Sequence, residues 1–75
     1  MFGRKNKIGR FAVVTARRTG DNIAYSTVDT TTRSKADRMA RETALKGGVF
    51  VAVIDYTGQP HWCYGRRVAW YGEEL

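Results

Sequence analysis

The chain reads as an α+β domain, a four-stranded antiparallel sheet with one helix on one face, in the order β-β-α-β-β. Three observations predict it. Two runs of strand formers flank a turn in the first third, a single helical stripe of small residues follows, and the last third returns to β-branched and aromatic residues.

Residues 10–17, Arg-Phe-Ala-Val-Val-Thr-Ala-Arg, are rich in strand formers, and residues 23–28, Ile-Ala-Tyr-Ser-Thr-Val, alternate with period two. Between them Thr19-Gly20-Asp21-Asn22 supplies a turn in which Gly and Asn tolerate positive φ, so residues 10–28 are expected to form a β-hairpin. After the threonines at 30–32, either Thr32 or Ser34 caps a helix. The Ser34 alternative would place Asp37 in the first turn, near the positive end of the helix dipole. Ala36, Met39, Ala40, Thr43 and Ala44 fall on one stripe, small enough to let the helix lie close to a sheet. Asp37 with Arg41, and Arg38 with Glu42, are spaced for i,i+4 pairs on the outer surface. Lys46-Gly47-Gly48 stops the helix.

Residues 49–56, Val-Phe-Val-Ala-Val-Ile-Asp-Tyr, are nearly continuous in apolar and β-forming types and predict a central strand with both faces occupied. Thr57-Gly58-Gln59-Pro60 turns the chain, and His61 to Tyr71 is expected as the last strand, started by Pro60, with Gly65 as a bulge or twist point. Regular alternation would put Trp62, Tyr64, Arg66, Val68 and Trp70 on one face and His61, Cys63, Arg67, Ala69 and Tyr71 on the other. Arg66 and Arg67 must then point to opposite faces. The one on the helix side has to reach the rim or find an acid such as Asp55 or Asp29, because an unpaired buried guanidinium costs several kcal/mol.

With 75 residues the chain has room for one core, so residues 1–8 read as a basic arm with Arg4, Lys5 and Lys7, and residues 9–75 as one domain. A core of this size gains from burying surface against a partner or a second copy, and a homodimer that pairs sheets or edge strands is one way to do so. The single Cys63 rules out an intramolecular disulfide and a four-cysteine metal site. The opening residues lack the apolar stretch of a secretory signal or membrane span, and a cytoplasmic protein is expected.

The net charge of +6 is unevenly spread. Residues 1–46 carry eleven basic and four acidic residues, a net +7, whereas residues 47–75 carry two basic and three acidic ones, a net −1. A field of that sign concentrates polyanions. Arg4, Lys5, Lys7 and Arg10 in and beside the arm, with Arg33, Lys35, Arg38 and Arg41 on the helix, would form a phosphate-facing ridge if they lay side by side. The aromatic residues Trp62, Tyr64 and Trp70 with Arg66 and Arg67 exceed what one Ala-rich helix can cover, and an exposed face of that kind suits unstacked bases and phosphates or a protein partner. No helix-turn-helix, zinc finger or RNA-recognition motif is present, so base-specific readout is not expected.

Enzymatic function is not expected. There is one histidine and no phosphate-binding glycine loop or metal-ligand spacing. His61 and Cys63, two apart on the predicted strand, are the nearest approach to a nucleophile with its base. They read instead as a half-exposed histidine beside a small buried thiol, and two ligands fall short of a zinc site. No metal or cofactor is called for. The chain is therefore expected to be a small, basic, non-catalytic protein that binds nucleic acid or a nucleic-acid-binding surface.

Residues 27–71 have a threonine-rich lead, a helix with Ser34-Lys35-Ala36-Asp37-Arg38-Met39-Ala40-Arg41, a break at Gly47-Gly48 and a hairpin ending in aromatic and basic residues. That layout resembles small phage-encoded inhibitors of host defence, the anti-CRISPR proteins among them. The resemblance implies a phage or mobile-element origin and action in the host cytoplasm. It also implies, as the alternative function, stoichiometric binding to a host protein or nucleoprotein complex.

Overall fold

The computed structural model describes residues 9–72, so the basic arm at residues 1–8 lies outside the described residues. The elements follow the expected order: β1 (Phe11–Thr19), β2 (Asn22–Thr30), α1 (Arg33–Leu45), β3 (Val49–Asp55) and β4 (Arg66–Gly72). All neighbours are antiparallel and the strand order is β2-β1-β3-β4, which places β3 inside the sheet as expected and leaves β2 and β4 at the edges.

β1 and β2 pair over their full length from Phe11 opposite Thr30 to Thr19 opposite Asn22, around a two-residue loop. Gly20 has φ +62° and, among the described residues, none other than glycine has positive φ, which is the sign pattern of a type II′ turn. Asn22 therefore supplies no left-handed residue and joins the strand. Thr32 caps the helix, its Oγ1 accepting from the Lys35 N–H at 3.3 Å, while Thr30 Oγ1 accepts from the Thr32 N–H at 3.3 Å and braces the cap. Ser34 lies inside the helix, so Asp37 falls beyond the first turn. At the other end the Gly47 N–H donates to the Ala44 carbonyl at 3.0 Å, and Gly47 turns away with φ +80°, a conformation costly for any residue with a Cβ.

The helical stripe does what its spacing predicts. Ala36 and Ala40 are fully buried, Met39 and Ala44 pack beside them, and the three largest fully buried side chains, Val49, Val51 and Val53, come up from β3 to meet them with Val13 of β1. Each fully buried valine contributes about 1.5–3 kcal/mol. The alanines let the helix sit close over β3, with β1 and β4 to either side and β2 least covered. On the outer surface the expected pairing of Asp37 with Arg41 is replaced. Asp37 bonds instead to Arg33, one turn earlier, at 3.3 Å, and it also accepts from the Tyr71 hydroxyl at 3.4 Å. This is the only ion pair among the described residues, so Arg38 and Glu42 do not form theirs.

The last strand needs correction. Pro60 does not begin a strand, and Trp62–Tyr64 form a single 3₁₀ turn that ends at Gly65, so β4 starts only at Arg66. The reason is local. His61 Nδ1 accepts from the Cys63 N–H at 3.1 Å, the Tyr64 N–H donates to the His61 carbonyl, and the Gly65 N–H donates to the Trp62 carbonyl, which closes the turn and removes these residues from any ladder. The irregularity anticipated at Gly65 occurs further on, where Ala69 pairs with Val53 and Arg67 with Ile54, leaving Val68 as the extra residue of a β-bulge. Val68 and Ala69 both lie against the helix-side core as a result.

Candidate binding face

The site is the side of the sheet opposite the helix. Regular pairing carries one set of residues across it: Tyr25, Ala16, Phe50 and Gly72 in one row, Thr27, Val14, Ala52 and Trp70 in the next, then Asp29, Ala12, Ile54 and Arg67. Arg18 and Ile23 stand at the hairpin end. The middle of this face is low. Ala12, Val14, Ala16 and Ala52 are buried, and Ala12 and Val14 form a second cluster with Tyr56, against which Ile54 and Trp62 pack. Taller aromatic residues rise around it, with Tyr25 65 % and Trp70 57 % exposed and Phe50 partly exposed.

The bulge decides which arginine joins this face. Without it Arg67 would share a side with Ala69 and Tyr71, under the helix, as alternation predicts. With Val68 inserted, Arg67 pairs with Ile54 on the open side and its guanidinium lies 4.3 Å from the centre of the Trp70 ring. Arg66 moves to the helix side beside Asp55, where it remains exposed. The expectation that the two point to opposite faces holds, and it is Arg67, not Arg66 as regular alternation would have it, that shares the face of Trp70. Neither is buried, because the helix-side position lies at the sheet rim.

At the far end Arg10 lies over the Tyr56 ring at 5.6 Å, and the Tyr56 hydroxyl donates to Asp29 Oδ1 at 2.8 Å. That bond, with burial second, raises the Tyr56 pKa above its ordinary 10.0. It also draws the carboxylate of Asp29, the one acid on this face among the described residues, inward over Ala12. Asp55, on the other side, has its pKa lowered, first by the Thr57 N–H at 3.0 Å, then by the Thr57 hydroxyl at 2.8 Å, with smaller help from Arg66 and Arg33.

The predicted site residues thus divide. Trp70 and Arg67 stand together on the open face, Arg10 is at its end, and Trp62 is half-buried beneath that end and stacks on His61 at 5.7 Å. Tyr64 projects from the 3₁₀ turn beside Arg66, away from Trp70. Arg33, Lys35, Arg38 and Arg41 are exposed on the helix, on the opposite side of the molecule, so the helix ridge and the aromatic face do not form one surface. Arg4, Lys5 and Lys7 lie outside the described residues. Tyr25, Phe50 and Arg18 were not singled out in the sequence. The signal for them was available: counting in twos through β1, across the two-residue turn and along β3 places all three on the Ala12-Ala16 side.

His61 and Cys63, expected on one strand face, occupy the 3₁₀ turn, and Cys63 is exposed rather than buried. The His61 ring nitrogen that would serve as base is engaged by the Cys63 backbone. Among the described residues no three His, Cys, Asp or Glu side chains converge to hold a metal ion, and no helix is long and apolar enough to cross a membrane. No protein-family profile, no curated protein and no solved structure matches the chain.

Proposed function

We propose that the chain binds single-stranded nucleic acid with little sequence specificity across the open face of the sheet, without catalysis. Tyr25, Phe50 and Trp70 stack bases, and Arg10, Arg18 and Arg67 hold phosphates. The observation that supports this reading is the pairing of exposed rings with guanidinium groups on one face whose single acid among the described residues is held by Tyr56. A ring with a free side can stack any base, which is worth about 1–3 kcal/mol per base and is indifferent to sequence. A guanidinium over an indole adds a cation to the stacking surface while its N–H groups remain free for phosphate oxygens. Duplex bases are already stacked on each other, so unpaired strands are the substrate for such a face. The cations of the helix act at longer range, raising the local concentration of polyanion from the opposite side.

The test is fluorescence anisotropy with labelled single- and double-stranded oligonucleotides of equal length. At about 50 mM salt the single strand binds more tightly, and its log affinity falls with log salt by about 0.7 per phosphate held. Absence of single-strand binding under these conditions refutes the proposal. A chain that ignores oligonucleotides yet retains a host nucleoprotein complex would move the same face to the alternative reading, inhibition by docking on a host target.

A further inference from the structure

The two edges of the sheet are built differently. β4 is blunted as edge strands of monomeric proteins are: it has a bulge at Val68 and two arginines at its start, and the Val68 carbonyl accepts from Arg33 Nη2 at 3.4 Å. β2 has none of these devices. Its nine residues run in unbroken register, it contains no proline, lysine or arginine, and its one charge, Asp29, is drawn inward by Tyr56. Every residue from Asn22 to Asp29 is exposed, including Ile23 at 39 % and Val28 at 48 %.

We propose that β2 pairs with β2 of a second copy, antiparallel, about a two-fold axis through Ser26. The backbone restricts the register. In a two-residue hairpin the closing pair, here Thr19 with Asn22, exchanges hydrogen bonds, so the even-numbered residues of β2 bond to β1 and the odd-numbered ones face outward. The Tyr56 N–H, which donates to the Arg10 carbonyl at 3.0 Å, agrees with that alternation, since even-numbered residues of β1 bond toward β3. The free groups are therefore those of Ile23, Tyr25, Thr27 and Asp29. Antiparallel self-pairing must match odd with odd, and the match centred on Ser26 engages all nine residues, Ile23 with Asp29 and Tyr25 with Thr27 of the second copy. Side chains agree with it. Ala24 meets Val28 on the helix side, covering the exposed valine. On the open side the register sets the backbone of each Asp29 two strands, about 9.6 Å, from that of Arg18 of the other copy, so a guanidinium lies near the acid end of β2 and no like charges face each other across the seam. The product is an eight-stranded sheet with both helices on one face and the two open faces merged on the other.

Sedimentation or light scattering of the full chain without nucleic acid tests this independently of any ligand. The expected mass at about 100 μM, where a micromolar interface is filled, is twice the 8.5 kDa of one chain. Thr27→Pro removes an outward N–H that the monomer does not use, and it yields a folded monomer. If that variant does not fold, Ser26→Lys, which sets two ammonium groups opposite each other, gives the monomer instead. In a Cys63→Ser background Ser26→Cys crosslinks on mild oxidation, because the residues meet as a non-hydrogen-bonded pair with Cα atoms about 4.5 Å apart, within disulfide range. Thr27→Cys does not crosslink. A wild-type mass of one chain, a folded Thr27→Pro or Ser26→Lys variant that stays dimeric, or crosslinking at Thr27 in place of Ser26 overturns the proposal.

Discussion

Replacing Arg66 and Arg67 singly by Ala separates two residues that are adjacent in sequence and lie on opposite faces of the sheet. Arg67 loses its stack on Trp70 at 4.3 Å, and since Arg67 and Trp70 are both exposed, the loss is about 0.5–1 kcal/mol. For a domain of this length that lowers Tm by about 2–8 °C. Among the described residues Arg66 makes no ion pair, and Asp55 keeps both hydrogen bonds from Thr57 without it, so its removal stays within about 0.5 kcal/mol. Thermal melts of Arg67→Ala, Trp70→Ala and the double variant should return a coupling of about 0.5–1 kcal/mol, while the same cycle with Arg66→Ala returns none. In the oligonucleotide assay Trp70→Ala weakens binding by about 1–3 kcal/mol, roughly 5- to 150-fold, and Arg67→Ala flattens the salt dependence by about one phosphate. Tryptophan emission supplies a check without ligand: Arg67→Ala shifts it and Arg66→Ala leaves it nearly unchanged. Equal effects of the two arginines, or coupling of Trp70 to Arg66, would show that the bulge does not set the faces as described.

Gly65→Ala tests the junction that ends the 3₁₀ turn. A Cβ there would stand 2.7 Å from the Asp55 carbonyl oxygen, from Ile54 Cγ2 and from Tyr56 Cβ, so β3 and the turn must separate, at a cost of about 2 kcal/mol or more in urea melts; an unchanged midpoint would refute the close approach. Asp55 predicts a pH dependence with a definite sign: its folded pKa is below the ordinary 3.8, so its contribution is complete above that value and is lost as pH falls through the lower, folded one. Asp55→Asn should therefore be less stable than wild type at neutral pH and converge with it in acid, which melts across that range will show or exclude.

The merging of two open faces in the proposed dimer bears on the proposed binding face. Tyr25 lies on the strand at the junction, so each copy would bring its Tyr25 to the centre of a continuous surface, with Trp70 at either flank. A longer oligonucleotide could then span both copies, whereas the Thr27→Pro monomer would offer half that length.

Much of the fold was legible in short-range patterns. The alternation in residues 23–28, the stripe from Ala36 to Ala44, and the runs around Gly20 and Gly47 specify strand, helix and stop through local sterics and periodicity, and the structure contains each of them. The β-branched run at residues 49–54 predicts a strand buried on both sides, and it lies between β1 and β4. What local pattern did not reveal lies after Pro60. Residues 61–64 alternate in a way compatible with a strand, yet the His61 ring and two successive backbone bonds close them into a turn instead. Period-two alternation does not survive one inserted residue: the extra Val68 depends on how β4 meets β3 and the helix, contacts distant in sequence, and it reverses the sides of Arg66 and Arg67. The same holds for Arg33 and Lys35 against Trp70. Sequence determined that this chain is basic, aromatic and built as β-β-α-β-β. Only the tertiary structure decided that its helix cations and its exposed rings stand on opposite sides, because a helix laid on one face of a sheet separates whatever it carries outward from whatever the other face presents.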